Sequence, residues 1–262
     1  MTSKSEPQLH QRVIDYWDRA GLSSLSSSTS QNDDDFARFD NAIENRRLAK
    51  ILHELSRPGG RCLDIGAGYG RFTQTMKAYF DFVVLLEGSP RIYDTLNNLW
   101  KNDPLVRCIK SDFEGFADSE KFRALFASGV VYFYSDQALY EFLSKANAFL
   151  EDGGNLILRD FVSLPTARVM HSTYVRGANC YYRSVIDWGR IAHKCGFNLV
   201  FAERSKLPVK MLRNPWVIRL MEMFRFKSLL NERNALRFCY EDSRFQLGRV
   251  GIQTSFLVLR KK

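Results

Sequence analysis

The chain has 262 residues, with 38 Lys and Arg against 29 Asp and Glu, and so carries a formal charge of +9. Hydrophobic residues make up 45% and charged residues 26%, which excludes a disordered chain, a coiled coil and a collagen-like repeat. No apolar run of about 18 residues is present, so the sequence predicts no transmembrane segment. The N-terminus also lacks the apolar core of a signal peptide. We expect a cytoplasmic protein with one large domain or at most two small ones.

The cysteines are scattered along the chain and form no CxxC pair. Such spacing favours reduced thiols in an intracellular protein and predicts neither a disulfide framework nor a metal site. The five residues are Cys62, Cys108, Cys180, Cys195 and Cys239.

Residues 1–60 are predicted to form a helical N-terminal extension. Apolar residues have helical spacing between Leu9 and Trp17, and a serine-rich run over 23–35 follows. That run has too little apolar content to pack and is predicted to be a loop. Helical periodicity resumes at Phe36 and continues to Leu55, where the residues RPGG end the helix.

From Arg61 onward, short apolar runs alternate with helical stretches. Continuous apolar strands separated by helices are typical of a parallel sheet covered on both faces. The predicted strands are RCLDIG, FVVLLE, VRCIKSD, GVVYFY, NLILRDF, FNLVFAE and GIQTSFLVLR. The predicted helices are RFTQTMKAYF, PRIYDTLNNLW, SEKFRALFA, DQALYEFLSKANAFL and SVIDWGRIAHKCG. We therefore expect an α/β doubly wound, seven-stranded, mostly parallel sheet over 61–262, with insertions at 161–183 and 204–250.

A glycine-rich segment, LDIGAGYGR over residues 63–71, follows the first predicted strand. Its glycines let the backbone turn sharply and let a ligand approach the main chain. Doubly wound folds bind nucleotide-like ligands at this edge of the sheet. Arg71 stands where a dinucleotide-binding motif has its third glycine, and the G-K-[ST] of a phosphate loop is absent. Asp64 would repel a phosphate and favours a ligand with a cationic group.

Acidic residues also end the next two predicted strands. Glu87 ends the second strand, where a carboxylate can accept hydrogen bonds from both hydroxyls of a ribose. Asp112 and Phe113 end the third strand, and we expect this acid and ring to hold and stack an adenine. The alternative interpretation is a glycine-rich structural turn with two surface acids.

Together these features resemble the class I S-adenosylmethionine-dependent methyltransferases, over about residues 45–203 and the final strand. The resemblance implies a Rossmann-like methyltransferase fold with S-adenosyl-L-methionine as the cofactor. It implies that the glycine loop wraps the methionine part, that the second acid binds the ribose and that the third strand end meets the adenine. The implied cofactor-binding residues are Asp64, Gly66, Gly68, Gly70, Glu87, Asp112 and Phe113. By resemblance to members with G-x-G-R, Arg71 is expected to pair with the cofactor's carboxylate, or else to be a surface arginine.

Candidate catalytic residues lie after the fourth and fifth predicted strands and in the first insertion. Methyl transfer requires an in-line nucleophile and needs a general base only when the nucleophile arrives protonated. We expect Tyr134 to line the pocket beside the methyl group and Asp160 to orient or deprotonate the nucleophile. Alternatively, Asp160 pairs with Arg159 or caps a loop. His171 lies in the predicted lid and is a candidate base, with a solvated loop histidine as the alternative.

The remaining histidines fall within helical patterns, and we expect them to be structural or solvent-facing. They are His10, His53 and His193.

The methyl acceptor is left open by the sequence. Four segments look like those of the protein α-N-terminal methyltransferases: DYW, LDxGAGxGR, SDQxLxEFL and AERSKLP. A fifth segment, LRDF, is similar to one in the tRNA 3-methylcytidine methyltransferases. YYRSVIDWGRIAHKCGF matches a lid-helix pattern of metabolite methyltransferases. We expect transfer to an O or N atom of a small molecule enclosed by the two insertions. A macromolecular acceptor (a protein N-terminal amine or tRNA) and a catalytically inert cofactor-binding protein are the alternatives.

Residues 205–250 hold ten Lys and Arg and four Asp and Glu, and so carry most of the excess charge. A helical wheel gathers apolar side chains on one face: Trp216, Val217, Leu220, Met221, Met223 and Phe224. Such a helix suits a lipid surface or another anionic partner, or packs on its own domain. The charge is also compatible with nucleic acid, but no RNA-binding module is recognisable.

Overall fold

The computed structural model describes residues 6–20, 34–55, 59–206, 247 and 251–262. Its helices are α1 (Glu6–Ala20), α2 (Asp34–Leu55), α3 (Thr73–Lys77), α4 (Pro90–Trp100), α5 (Asp136–Phe149) and α6 (Val185–Lys194), with a 3₁₀ helix at Val131–Phe133. Its strands are β1 (Arg61–Ile65), β2 (Phe82–Glu87), β3 (Val106–Lys110), β4 (Phe122–Ser128), β5 (Leu150–Leu164), β6 (Arg168–His171), β7 (Asn179–Tyr182), β8 (Phe197–Arg204) and β9 (Gly251–Lys261). Most of the predicted serine-rich loop, most of 205–250 with its amphipathic helix, and Cys239 lie outside the described residues.

Seven strands form one sheet in the order β3-β2-β1-β4-β5-β9-β8. The pairs from β3 to β5 are parallel, and β9 runs antiparallel to both β5 and β8. The strand order reverses between β1 and β4. Doubly wound sheets bind ligands beside the carboxyl ends of the strands at such a point. The doubly wound, seven-stranded prediction is confirmed.

Side chains alternate between two apolar layers, one on each face of the sheet. In β1, Leu63 belongs to one buried cluster and Cys62 to the other, as the two-residue period of a strand requires. Helices α5 and α6 cover the first layer. Helix α2 contributes Leu48, Ile51 and Leu52 to the second layer, so this part of the predicted N-terminal extension belongs to the core of the sheet domain.

Serine hydroxyls begin three of the helices that cover the sheet. Ser89 and Ser135 accept hydrogen bonds from the backbone N–H groups of the first turns of α4 and α5, and Ser184 forms a capping box with Asp187 at the start of α6. Such caps satisfy N–H groups that have no partner within the helix. No helix in the described ranges is long and apolar enough to cross a membrane.

The prediction for the fourth strand was wrong. The segment predicted as a helix, SEKFRALFA, contains β4, while GVVYFY, predicted as a strand, forms a turn and the 3₁₀ helix. Both runs are short and apolar, and periodicity alone does not separate a buried strand from a buried helix. Pairing with β1 on one side and β5 on the other selects 122–128. Gly129, at a φ of +71°, then ends the strand.

The first insertion begins later than predicted. β5 continues to Leu164, because each residue from Asn155 to Leu164 pairs with β9. Beyond it, β6 and β7 form a separate antiparallel hairpin in which His171 lies opposite Asn179.

Candidate functional site

The loop after β1 depends on glycine at several positions. Gly66, Gly68 and Gly70 have φ of +67°, +61° and +81°, a left-handed conformation that other residues rarely adopt. A Cβ on Gly66 would lie 2.9 Å from the Val130 side chain, and one on Gly70 would lie 2.6 Å from Trp100 Nε1. The loop therefore packs closely against the turn after β4 on one side and against α4 on the other.

A cavity of about 70 Å³ opens beside this loop. It is bounded by the end of β1, the glycine-rich turn and the end of β4, since its lining residues are Asp64, Gly66, Ala67, Gly68, Tyr69, Arg71, Phe72 and Ser128. The structure therefore brings Asp64, Arg71 and the three predicted loop glycines close together, although Gly70 itself does not line the cavity.

Asp64 is an unusual carboxyl group because it is only 2% exposed. Burial, and then the negative charge of Glu87, raise its pKa to about 8. Within the described part of the chain, no group donates a hydrogen bond to it. Desolvation of this kind disfavours the ionised form, so Asp64 is suited to receive a cationic group.

Glu87 joins the tip of β2 to the glycine loop. Its Oε2 accepts from the Gly68 N–H at 2.9 Å, and its Oε1 accepts from the Ser89 N–H at 2.8 Å. Burial raises the pKa of Glu87 in spite of these bonds. Each carboxylate oxygen has two lone pairs, so both oxygens retain capacity for a ligand's hydroxyl groups.

Asp112 and Phe113 are neighbours in sequence, but their side chains lie in different surroundings. Asp112 is partly exposed after β3 and accepts from the Gly115 N–H at 2.7 Å. The Phe113 ring is 3% exposed and packs in the core, 5.0 Å from the ring of Phe142 and 6.0 Å from that of Phe149. The ring is turned into the apolar layer and does not line the cavity, so nothing in the structure supports adenine stacking by Phe113.

Arg71 is buried rather than on the surface, with its side chain 7% exposed. Its guanidinium donates to Glu44 Oε2 at 2.8 Å and to Asn41 Oδ1 at 3.2 Å, and lies 4.0 Å from the centre of the Phe72 ring. Burial lowers the pKa of Arg71, while the Glu44 charge opposes that change. Sequence reasoning missed Glu44. Asp40, Glu44 and Arg47 share one face of α2, but charged residues on one helix face ordinarily indicate the side that faces solvent.

Asp160 lies in β5, beside the turn that follows β4. Its Oδ2 accepts from the Val131 N–H at 3.1 Å, and its Oδ1 accepts from the Phe161 N–H at 2.7 Å. Because Val130 contacts Gly66, Asp160 is held close to the loop. Burial raises its pKa to about 6. Asp160 does cap a turn, as one alternative supposed, whereas the Arg159 guanidinium is bound to Glu44.

Tyr134 and His171 do not line the cavity. Tyr134 follows the 3₁₀ helix rather than a strand, is buried in the core and donates to Glu114 Oε1 at 3.3 Å. His171 is exposed on β6, with its Nδ1 3.0 Å from Asn179 Oδ1 across the hairpin. The structure thus places His171 as the solvated histidine that was the alternative.

An aromatic cluster, Tyr132, Phe161 and Tyr182, lies beside Asp160. The Phe161 ring stands edge-on to those of Tyr132 and Tyr182, at 5.1 and 5.7 Å between centroids, and the two tyrosine rings are parallel at 6.4 Å. Burial first, and the Asp160 charge in addition, raise the pKa of both phenols. Val13 and Tyr16 of α1 pack against this region. The predictions from sequence did not find this cluster, because its members come from three separate segments.

Helix α1 crosses the tips of β2 and β3. Asp18 accepts from Ser89 Oγ at 2.6 Å and from the Arg91 N–H at 2.9 Å. His10 Nε2 lies 3.5 Å from Asp112 Oδ2 and 3.3 Å from Glu114 Oε2. His10, expected to be structural or solvent-facing, therefore lies at the edge of the site.

Through Arg12 and Tyr16, α1 also reaches the β6–β7 hairpin. Arg12 donates to the carbonyl oxygen of Arg176 at 2.7 Å, and the rings of Tyr16 and Tyr174 are 6.2 Å apart. The helix and the hairpin together cover the side of the site beyond β4 and β5.

Comparison with known proteins agrees with this geometry. A family model described as a methyltransferase domain matches residues 39–201, more than half of the chain. Comparison with curated protein sequences gives no match. Among solved structures, the chain is similar to the 1,6-didemethyltoxoflavin-N1-methyltransferase of Burkholderia thailandensis, solved with 1,6-didemethyltoxoflavin and S-adenosylhomocysteine bound. The TM-score is 0.66 and the identity 15%, covering 100% of this chain and 92% of that one.

Two further structures show the same fold. An S-adenosylmethionine-dependent methyltransferase of Leishmania major gives a TM-score of 0.66 at 14% identity, covering 97% of this chain and 82% of its own. A cyclopropane synthase of Mycobacterium tuberculosis gives 0.59 at 17% identity, covering 100% of both chains. Because the matched domain spans the glycine loop and the sheet from β1 to β5, the chain belongs to the class I S-adenosylmethionine-dependent methyltransferases, enzymes that use S-adenosyl-L-methionine as methyl donor.

Proposed function

We propose that this methyltransferase transfers the methyl group to an O or N atom of a small molecule, with the cofactor's methionine part held between Asp64 and Arg71. The observation that supports the cofactor site is that a buried carboxyl group and a buried guanidinium line the same cavity. Among the described residues, Asp64 is a buried carboxyl that accepts no hydrogen bond, and Arg71 is a buried guanidinium that uses two of its five N–H groups. An ammonium group and a carboxylate on one ligand satisfy both.

The other cofactor contacts follow from the strand order. Gly66, Gly68 and Gly70 leave room for the ligand along the backbone, and Glu87 accepts hydrogen bonds from the ribose hydroxyls. Asp112, at the tip of the neighbouring strand β3, faces the adenine side. Phe113 is left out of this set because its ring is occupied in the core.

The acceptor is placed between the glycine loop and the aromatic cluster. S-adenosylmethionine supplies a methyl group already activated by its sulfonium. Asp160 holds the acceptor and takes its proton when the nucleophile arrives protonated, since its pKa of about 6 leaves it ionised at neutral pH. The phenols of Tyr132 and Tyr182 orient the acceptor, and the aromatic rings exclude water.

A small acceptor is favoured by how much of this region is covered. Tyr132 is 8% exposed, and both α1 and the hairpin lie over the cluster. The similar enzyme from Burkholderia thailandensis was solved with a small acceptor bound, which supports the same class here.

Calorimetry with S-adenosylhomocysteine tests the cofactor site. We expect the wild type to bind, and Asp64→Ala or Glu87→Ala to lose at least about tenfold in affinity, as expected for charge-assisted hydrogen bonds. Asp94→Asn, at an exposed carboxylate on α4, serves as the control and should bind normally. A wild type that does not bind would refute the proposal.

The acceptor class is tested with a radiolabelled methyl donor and fractionated cell extract. Label should appear in the metabolite fraction and disappear with Asp160→Asn. Label confined to protein or RNA would favour the macromolecular alternative, and cofactor binding without any labelled product would favour an inert binding protein.

A further inference from the structure

Glu44 lies at the centre of the buried charges around the cofactor cavity, yet it does not line that cavity. We propose that Glu44 is a positioning residue that holds the Arg71 guanidinium in place for the cofactor's carboxylate. This inference rests on the proposed function of Asp64 and Arg71.

Glu44 itself is fixed from two other strands. Its carboxylate is 0% exposed. Its Oε1 accepts from Arg159 Nε at 2.8 Å, from Arg159 Nη2 at 2.7 Å and from Ser205 Oγ at 2.8 Å. Arg159 belongs to β5, and Ser205 directly follows β8. Three hydrogen bonds that do not involve Arg71 therefore hold one oxygen of the Glu44 carboxylate.

The other oxygen of this carboxylate is the one that holds Arg71. Glu44 Oε2 accepts from Arg71 Nη2 at 2.8 Å, and Asn41, one helical turn earlier, accepts from Arg71 Nη1 at 3.2 Å. A guanidinium has five N–H groups, and these contacts use two of them. The side chain is thereby held in one conformation at the cavity wall, and the remaining donors can serve a planar, two-oxygen ligand.

Stability alone explains this arrangement poorly. Buried ion pairs often contribute no more to stability than apolar side chains of similar volume. In addition, one carboxylate is shared between two guanidiniums. Burial first, and the repulsion from Arg159 in addition, lower the pKa of Arg71. If the Arg71 side chain is already ordered in the free protein, binding of a ligand costs less conformational entropy. The contact with Glu44 therefore strengthens the binding of the cofactor's carboxylate.

Glu44→Gln separates these possibilities because it keeps the shape of the side chain. An amide offers one acceptor oxygen, and its NH₂ group cannot accept a hydrogen bond from an N–H donor. Arg159 and Ser205 together make three hydrogen bonds to the Oε1 position, so the oxygen stays there and the NH₂ group faces Arg71. Arg71 is therefore the group that loses its partner.

The experiment compares two ligands by calorimetry: S-adenosylhomocysteine and its decarboxylated analogue, which lacks only the carboxylate. Glu44→Gln should reduce affinity for S-adenosylhomocysteine by about 10-fold or more, the effect of one charge-assisted hydrogen bond. Affinity for the decarboxylated analogue should change by less than about twofold. Arg71→Met should show the same pattern, and adding Glu44→Gln to it should cause no further loss, because the two residues act as a unit.

Glu203→Gln is the matched control. It removes another buried carboxylate, whose Oε1 accepts from Arg47 Nε at 2.8 Å, near the same helix but without contact to Arg71. Binding of both ligands should be unchanged. Glu44→Gln that weakens both ligands equally, or neither, would overturn the proposal.

A milder variant covers the case in which Glu44→Gln fails to fold. Ser205→Ala removes one hydrogen bond to Glu44, and should lower affinity for S-adenosylhomocysteine about threefold to tenfold while sparing the analogue. An unchanged ratio of the two affinities would overturn the proposal. A wild type that binds neither ligand would refute the proposed function itself, and one that binds both equally would remove the role assigned to Arg71.

Discussion

Replacing Asp64 with Asn should make the cofactor-free protein more stable than the wild type, by an amount that grows as the pH rises, while weakening the binding of S-adenosylhomocysteine. The reason is that the folded protein buries Asp64 with its proton retained. Its pKa is about 8, against an ordinary value of 3.8. Asn has nearly the same shape but cannot titrate, so it removes the cost of a buried charge.

The magnitude follows from proton linkage. Between about pH 4 and pH 8 the folded protein holds a proton at Asp64 that the unfolded chain has lost. The free energy of unfolding of the wild type therefore falls, through this group, by up to about 1.4 kcal/mol for each unit of increasing pH. The stability of Asp64→Asn relative to wild type should rise by about 3 kcal/mol between pH 5 and pH 7, and level off above about pH 8.

Urea denaturation at pH 5, 6, 7 and 8, followed by circular dichroism, gives the free energies of unfolding for both proteins. Taking the difference between them cancels the titrating groups that do not interact with Asp64, including Asp160. Asp94→Asn, at an exposed carboxylate, should show a constant difference from wild type. The same constant difference for Asp64→Asn would refute the argument that Asp64 is buried in its neutral form.

Three further predictions concern the loop, the base and α1. Gly70→Ala should lower the free energy of unfolding by about 2–5 kcal/mol, because it adds a contact with Trp100 to the strain of a positive φ. Gly129→Ala, with a similar φ and nothing within 4 Å of the new Cβ, should lose only about 1–2 kcal/mol in the same urea titration. Asp160→Asn should reduce methyl transfer at least about 100-fold. The rate of the wild type should fall below about pH 6, where Asp160 takes up a proton, whereas the rate of the variant should not. A variant whose rate still falls below that pH would contradict the role of Asp160 as the base. Tyr16→Ala should loosen α1 by about 0.5–1.5 kcal/mol, seen as faster amide exchange confined to that helix, and unchanged exchange would contradict the packing described.

The glycine loop with its neighbouring acid was predictable from local sequence. A strand with Asp64 as its penultimate residue, followed by alternating glycines, forms a defined turn. The glycines directly after the strand adopt positive φ, which other residues rarely do. The tip of β2 could be found in the same way, because Glu87 ends a continuous apolar run. These features depend on residues close together in the chain.

The same local reasoning was wrong at β4 and did not anticipate that the ring of Phe113 is buried. Two apolar runs compete for the fourth strand, and only pairing with β1 and β5 selects the first of them. Phe113 follows a strand end, but its ring completes the apolar layer with Phe142 and Phe149. Burial of the ring there removes apolar surface from water, which the chemistry of the motif does not reveal.

The sequence by itself determined the alternation of strands and helices and the glycine loop with its acid, because each depends on neighbouring residues. Only the tertiary structure decided what surrounds that loop. Glu44 meets Arg159 across 115 positions and Ser205 across 161, and the aromatic cluster comes from three segments brought together by the sheet. Such contacts have no periodicity to mark them, since they exist only after the sheet has formed and excluded water from the charges between α2, β5 and β8.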